Sequence, residues 1–385
     1  MSAALRDIGR APVIVGGGAA GLMTALRLAP MPAVVVTKAP LETEASSVWA
    51  QGGLAAAIGP DDCPDLHLAN TLAAGAGLCD PEVARRVTAE RPAAIGALLQ
   101  LGARFDCDAA GTLRLGLEAA HSRRRIAHAT GDGTGREIMR ALAAAARRTP
   151  SITVLEGLDA RRLTTAADRA VSGVLAATRS GEAVLLPTGR AVLATGGVGG
   201  LFAHTTNPRG SFGHGLALAA RAGAALIDME FVQFHPTALD VGGYPLTLVS
   251  EAVRGEGAVL IDETGARFMV DLPGQELAPR DVVARAVWHR LGEGHRVFLD
   301  ARTAMGESFV RRFPVIAAAC AAAGIDSARQ PIPVRPAAHY HMGGIAVDAD
   351  GRSSVAGLWA SGEVAGTGLH GANRLWPATL CLRPW

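Results

Sequence analysis

Apolar residues at the start of the chain come in short runs punctuated by glycine and proline. Ala11-Pro12-Val13-Ile14-Val15 passes directly into Gly16-Gly17-Gly18-Ala19-Ala20-Gly21. An apolar run of that length without polar alternation fits a strand covered on both faces, as in a parallel sheet. Apolar positions continue from Leu22 to Leu28 up to Pro30, which ends a helix, and Ala33 to Thr37 is a second apolar run. The pattern predicts a strand, a turn, a helix and a strand in succession. Residues 81–103 and 135–148 carry apolar positions at helical spacing. Residues 152–193 look β-rich, with runs at Thr153–Leu155, Gly173–Ala177, Ala183–Leu186 and Arg190–Ala194, the last followed by Thr195-Gly196-Gly197.

From about Asp228 to Pro336 polar and apolar residues mix, and helical pieces at 281–291 and 308–323 alternate with loops. Sheet-like runs return at Gly344–Val347 and Gly357–Ala360. This organisation predicts an α/β domain split in sequence around an inserted second domain.

Composition narrows the function. The 385 residues are enough for two domains, and 49% hydrophobic content suits a large buried core. A net charge of +2 gives no general pull on nucleic acid or anionic membranes. Aromatics at 4% disfavour a surface that stacks bases. Cysteines at 63, 79, 107, 320 and 381 form no C-x-x-C pair, so neither a zinc ribbon nor a disulfide framework is expected. No signal peptide and no membrane-spanning run is evident, and the expectation is a cytoplasmic protein with a small-molecule ligand.

Gly16-x-Gly18-x-x-Gly21 between a strand and a helix permits a tight turn and close approach to a pyrophosphate at a helix N-terminus. Alone it can also be read as a plain glycine-rich turn. The second strand ends in Thr37-Lys38 where a ribose-binding acid is usual, which argues against an ordinary NAD site.

Three later segments agree with this motif: Ser46-Ser47-Val48-Trp49-Ala50-Gln51-Gly52-Gly53, which reads as a compact polar and glycine loop after the second strand, Ala194-Thr195-Gly196-Gly197 and Trp359-Ala360-Ser361-Gly362-Glu363-Val364-Ala365-Gly366. In order and separation they resemble the flavoprotein family of succinate dehydrogenase, fumarate reductase and L-aspartate oxidase, over essentially the whole chain to Leu375. The resemblance implies a Rossmann-like FAD-binding domain at 1–227 and 339–375, an α+β capping domain at 228–338 and an aberrant tail at 376–385. It places Gly16, Gly17, Gly18, Ala19, Ala20, Gly21, Lys38, Ser46 to Gly53 and Glu363 around FAD. Members that attach FAD covalently use a histidine in the Ser46–Gly53 segment. This chain has Val48 and Trp49 there, so non-covalent FAD is expected.

Further segments carry candidate substrate groups: Phe231-Val232-Gln233-Phe234-His235-Pro236-Thr237, Ser250-Glu251-Ala252-Val253-Arg254, Pro279-Arg280-Asp281, His339-Tyr340-His341 and His370-Gly371-Ala372-Asn373-Arg374. Singly each has a bland reading. Arg280-Asp281 can be a surface pair. His339-x-His341 can be two metal ligands, but no third ligand motif accompanies them, and no metal is expected. Together they suit a four-carbon dicarboxylate, whose two anionic ends need cations and donors at two places. By resemblance, Arg374 and His339 hold one carboxylate, His235 and Ser250 the other, with Gln233 beside them. Arg280 is then the proton-transfer arginine, relayed by Glu251 and Arg254.

Gly116-Leu117-Glu118-Ala119-Ala120-His121-Ser122-Arg123-Arg124-Arg125-Ile126 resembles the L-aspartate oxidase signature within the family. Glu118 can pair with the α-ammonium that separates aspartate from succinate. It can also pair with one of the neighbouring arginines at a solvated helix end. The resemblance implies oxidation of L-aspartate to iminoaspartate, reoxidation of the cofactor by oxygen or fumarate, a functional link to quinolinate synthase, and the first step of NAD biosynthesis. The other readings are a soluble succinate or fumarate oxidoreductase and an inactive FAD-binding remnant.

Two departures stand out. His214 replaces an aspartate expected beside FAD. After Leu375 the family continues Ala-Ser-Asn-Ser-Leu-Leu-Glu and then a helical domain, whereas this chain ends Trp376-Pro377-Ala378-Thr379-Leu380-Cys381-Leu382-Arg383-Pro384-Trp385. A shifted reading frame permits the family motif here, so a frameshift and an absent C-terminal helical domain are expected.

Overall fold

The computed structural model describes residues 11–118 and 120–375, and the tail expected at 376–385 lies outside them. The first apolar runs become the centre of the molecule. Strands β1 (Val13–Val15), β2 (Ala33–Thr37), β3 (Ile152–Glu156), β4 (Ala191–Leu193) and a fifth strand, Leu358–Ala360, make one sheet. Its spatial order is Leu358–Ala360, β4, β1, β2, β3, and every pairing is parallel. All three residues of β1 are buried, as a strand covered on both faces must be.

Helix α1 (Ala19–Leu28) follows β1 directly. On one face of the sheet it packs with α2 (Thr134–Arg148), and Leu22, Met23, Ile138, Met139 and Leu142 share one apolar core with Ile14 and Val35. The other face is covered by an antiparallel three-stranded sheet, Leu158–Thr165, Val171–Thr178 and Ala183–Pro187. Pro81–Gln100 starts as a capped helix should, with Asp80 accepting from the Glu82 and Val83 amides and proline in the first turn.

The inserted region builds its own antiparallel sheet. Strands β5 (Val232–Leu239), β6 (Val259–Asp262), β7 (Val297–Asp300) and β8 (Ile332–His341) lie in the order β5, β8, β7, β6. Helices α3 (Glu251–Gly255) and α4 (Arg280–Gly292) pack on it through Val253, Val283 and Val287. Strand β8 spans the expected division at 338.

Two local expectations change. The helix expected over 308–323 is broken into Phe309–Arg312 and Pro314–Ala322. Pro314 excludes helical geometry at the residue before it, and Phe313 sits at φ −131°, ψ 64°. The segment expected as a loop at 46–53 opens with one helical turn, Ser46–Trp49.

Candidate active site

The strand order reverses between β1 and β4, and in open α/β sheets a ligand crevice forms outside the strand ends at such a point. The glycine loop sits there. Gly16 has φ +124°, and an added Cβ would lie 2.1 Å from Ala194 O on the chain leaving β4. A Cβ on Gly21 would lie 1.9 Å from Gly16 O. These two glycines let loop, helix and neighbouring strand close on one another. Gly18 differs: a Cβ there meets only ordinary contacts, 3.5 Å from Ser47 Oγ. Its missing side chain leaves room in the cleft instead.

From this loop a continuous cleft extends to the inserted region. Gly16, Gly17, Gly18, Ala19, Ala20, Lys38, Ser46, Ser47, Trp49, Ala50, Gln51, Gly52, Gly53 and Glu363 line it. So do Glu118, His235, Ser250, Glu251, Arg280, His339 and Arg374. Four expected residues do not line it. Gly21 lies under the loop, Val48 packs on the core, and Gln233 and Arg254 stand behind the cleft wall.

A cleft that reaches from the glycine loop to His339 and Arg374 fits a dinucleotide cofactor. The N-terminus of α1 opens onto the cleft at Gly18, which has no side chain to cap it, and its positive dipole end suits phosphate. Ser47 Oγ accepts from the Ala19 amide at 3.2 Å, fixing the Ser46–Trp49 turn against that loop. Lys38 Nζ stands 5.3 Å from the Phe212 ring centroid. Glu363 accepts from the His341 amide at 3.0 Å, and burial pushes its carboxyl up to about 7. His214 also lines the cleft, and its Nε2 donates to Ala160 O.

At the far end lies a buried ionic cluster. Arg280 Nε donates to Glu251 Oε2 at 2.7 Å, and Arg254 Nη2 donates to Glu251 Oε1 at 3.0 Å. Arg280 Nη1 donates to Gln233 Oε1 at 3.0 Å, while Gln233 Nε2 donates to Asn373 Oδ1 at 2.6 Å and to Arg374 O at 2.7 Å. Gln233 therefore ties β5 to the segment carrying Arg374. Ser250 caps α3, accepting from the Ala252 amide at 3.3 Å.

His235 and His339 face one another with ring centroids 5.1 Å apart. Burial is the main cause that holds both well below the usual histidine range, and the Arg280 charge adds to it for each, with Arg374 also acting on His339. Both are neutral near pH 7. The Thr237 amide donates to His235 Nδ1 at 3.2 Å, which leaves the ring proton on Nε2. His339 Nδ1 shares a 2.8 Å hydrogen bond with Thr206 Oγ1. His341, two residues on, turns to Met229 O instead at 3.3 Å. Arg374 lies 3.9 Å from the Tyr340 ring centroid, a close cation–π stack.

Glu118 is the exception in this network. It is 1% exposed, no side chain among the described residues hydrogen-bonds to either oxygen, and the Gly53 backbone amide is the donor that acts on it. Burial, and next the Glu251 charge, push its carboxyl up to about 7. The arginines of its own segment turn elsewhere: Arg125 forks onto Asp62 and Arg123 reaches Asp61.

Thr206, Gln233's partner Asn373, and Tyr340 escaped sequence reasoning as site residues. Only their adjacency to His339 and Arg374 could have flagged the last two.

A nucleotide cleft at the switch point of a parallel sheet, opening onto buried histidines, arginines and a carboxylate, defines an FAD-dependent oxidoreductase. The chain belongs to the FAD binding domain family, which matches residues 12–380. It is 64% identical over 375 residues to L-aspartate oxidase of Mesorhizobium japonicum, covering 97% of this chain and 73% of that protein. It is 60% identical to L-aspartate oxidase of Agrobacterium fabrum, covering 94% of this chain and 69% of that protein. A solved mutant of E. coli quinol fumarate reductase superposes with a TM-score of 0.89 at 31% identity, over 95% of this chain and 66% of that one. The chain thus spans about two thirds of the fumarate reductase chain it matches. FAD is its cofactor. Among the described residues no helix is long and apolar enough to cross a membrane.

Proposed function

We propose that the protein oxidises L-aspartate to iminoaspartate, with FAD held non-covalently as electron acceptor. The observation that carries this reading is Glu118, a buried carboxylate in the cleft wall to which no side chain hydrogen-bonds. A buried acid left in that state is costly. The α-ammonium of aspartate would complete it, and succinate has no such group. The high identity to proteins named L-aspartate oxidase supports the same reading.

Arg374 and His339 hold one substrate carboxylate, and His235 with Ser250 holds the other. Neutral histidines suit this work, because each presents a donor without competing for a proton. The stack of Tyr340 on Arg374 fixes the plane of the guanidinium, which sets the direction of its carboxylate fork. Bound FAD supplies a two-electron acceptor. The proton leaving the substrate passes to Arg280, which hands its own to Glu251, with Arg254 behind it. Burial of all three keeps water out of the exchange. Oxygen or fumarate accepts the electrons in turn. Iminoaspartate hydrolyses readily, so a quinolinate synthase in the same cytoplasm would consume it, at the start of NAD synthesis.

A soluble succinate or fumarate oxidoreductase would use the same two carboxylate holders, as the likeness to fumarate reductase suggests. Glu118 separates the two readings. The test is the visible spectrum of the purified protein before and after anaerobic L-aspartate. A flavin band that bleaches with L-aspartate but not succinate is expected. A band that bleaches only with succinate would replace this reading with the second. Acid precipitation should leave the flavin in the supernatant.

A further inference from the structure

The turn that carries Glu118 is held from three directions. Ala120 sits at φ +61°, a left-handed conformation that a residue with a side chain adopts only when its surroundings impose it. The His121 amide donates to Glu118 O at 3.2 Å, and the Ala120 amide to Leu277 O at 3.3 Å. Gly255, at the end of α3, lies so close that an added Cβ would come within 2.3 Å of Leu117 O.

The third hold comes from the helix Pro64–Ala74, outside the cleft. Asn70 Oδ1 accepts from the Ser122 amide at 3.0 Å, from Ser122 Oγ at 2.9 Å and from Arg125 Nη1 at 3.1 Å. Arg125 is fully buried and forks onto Asp62, Nε to Oδ2 at 2.9 Å and Nη2 to Oδ1 at 2.7 Å. One side-chain oxygen therefore gathers both the backbone after Glu118 and a buried arginine of the same segment. None of this ionic structure touches the cleft, where Asn70, Asp62 and Arg125 are absent from the lining.

We propose that Asn70, backed by the Asp62–Arg125 pair, is a positioning residue for substrate selection. It holds the turn so that the Glu118 carboxylate meets the α-ammonium of an amino dicarboxylate instead of closing on a neighbouring arginine. The inference rests on the proposed oxidation of L-aspartate and extends it to a residue that contacts no substrate. Misalignment of a charge-assisted contact weakens only ligands that use it. Succinate, which lacks the amino group, reports every other part of the site.

The test compares the FAD-loaded wild type with Asn70→Ala and Asn70→Asp. Asn70→Asp keeps an oxygen in the same place for all three donors. For Asn70→Ala the KM for L-aspartate should rise about tenfold, with a smaller change in kcat. The inhibition constant of succinate should stay within about twofold, and Asn70→Asp should restore the aspartate KM. Parallel losses for aspartate and succinate, or no loss at all, would overturn the inference. Should Asn70→Ala not fold, Ser122→Ala removes one contact from an exposed position and should raise the aspartate KM about two- to threefold with succinate unchanged. An unchanged KM there also overturns it. A wild type that binds succinate but does not respond to L-aspartate would instead overturn the proposed function, and this inference with it.

Discussion

Arg280 Nε rests 2.7 Å from Glu251 Oε2 while its Nη1 rests 3.0 Å from Gln233 Oε1. Two edges of one guanidinium are thus fixed before a substrate arrives. Arg280 opens α4 and Glu251 opens α3, so the contact joins two helix starts of the inserted region. Glu251 is shared with Arg254, one turn along α3. A carboxylate held between two buried arginines is placed to exchange protons with either. Breaking such a group from one side leaves an uncompensated buried charge.

Replacing Arg280 with Gln should therefore stop turnover. The expected loss in kcat is about 10²–10⁴-fold, the range for a positioned proton donor. Bound FAD, read from absorbance per protein, should be unchanged, since the glycine loop and Lys38 end of the cleft is untouched. Retained turnover would remove Arg280 from the proton path.

The fold was legible where one physical rule decided each element. The run Val13–Val15 into Gly16 could only be a buried strand ending in a tight turn, and β1, α1 and β2 follow from it. The glycines of that turn divide by cause only in three dimensions, because Gly21 answers to Gly16 O and Gly18 to the cleft. The break at Phe313 was written in Pro314, but helical periodicity on either side masked it. Ser46–Trp49 became a helical turn because Ser47 is drawn to the Ala19 amide, a partner 28 positions away that spacing cannot reveal. The site residues His235, Glu251, Arg280, His339 and Arg374 came from motif resemblance. Thr206 and Asn70 have no motif and declare themselves only through the oxygen each places against a histidine or a turn.

Glu118 gives the site a pH dependence. Its carboxyl is pushed up to about 7 by burial and by Glu251. Only the ionised form pairs with an ammonium, so the KM for L-aspartate should rise as pH falls below about 7. Succinate inhibition should lack this limb, since it does not use Glu118. Glu118→Gln should raise the aspartate KM at every pH and abolish the limb. A wild-type KM that is flat through that range would show that Glu118 does not carry the amino group.

The same carboxyl should burden stability in the absence of substrate. Its ordinary value is 4.5 and its folded value about 7, so the folded state binds more protons over that interval. Stability from this group is then full below 4.5, declines as pH rises, and is lost above about 7. Glu118→Gln should raise the melting temperature of substrate-free protein at about pH 8 and leave it nearly unchanged at about pH 4. An equal shift at both values would mean that packing, not charge, sets the effect.

Gly18 and Gly21 should separate cofactor affinity from stability. An alanine Cβ at Gly21 would sit 1.9 Å from Gly16 O, which is rigid backbone in the turn after β1. The turn must shift, and Gly21→Ala should destabilise the protein by about 1–3 kcal/mol, as overpacking does. At Gly18 the same Cβ meets Ser47 Oγ at 3.5 Å and Ala45 Cβ at 3.8 Å, ordinary distances. Its φ is −77°, a value alanine adopts without strain. Gly18→Ala should therefore keep the melting temperature of the FAD-free protein, while the added methyl enters the space beside the α1 N-terminus and weakens FAD binding. Titrating FAD into each FAD-free variant and following flavin fluorescence decides the point. If Gly18→Ala binds FAD as tightly as wild type, the cofactor does not lie against this turn.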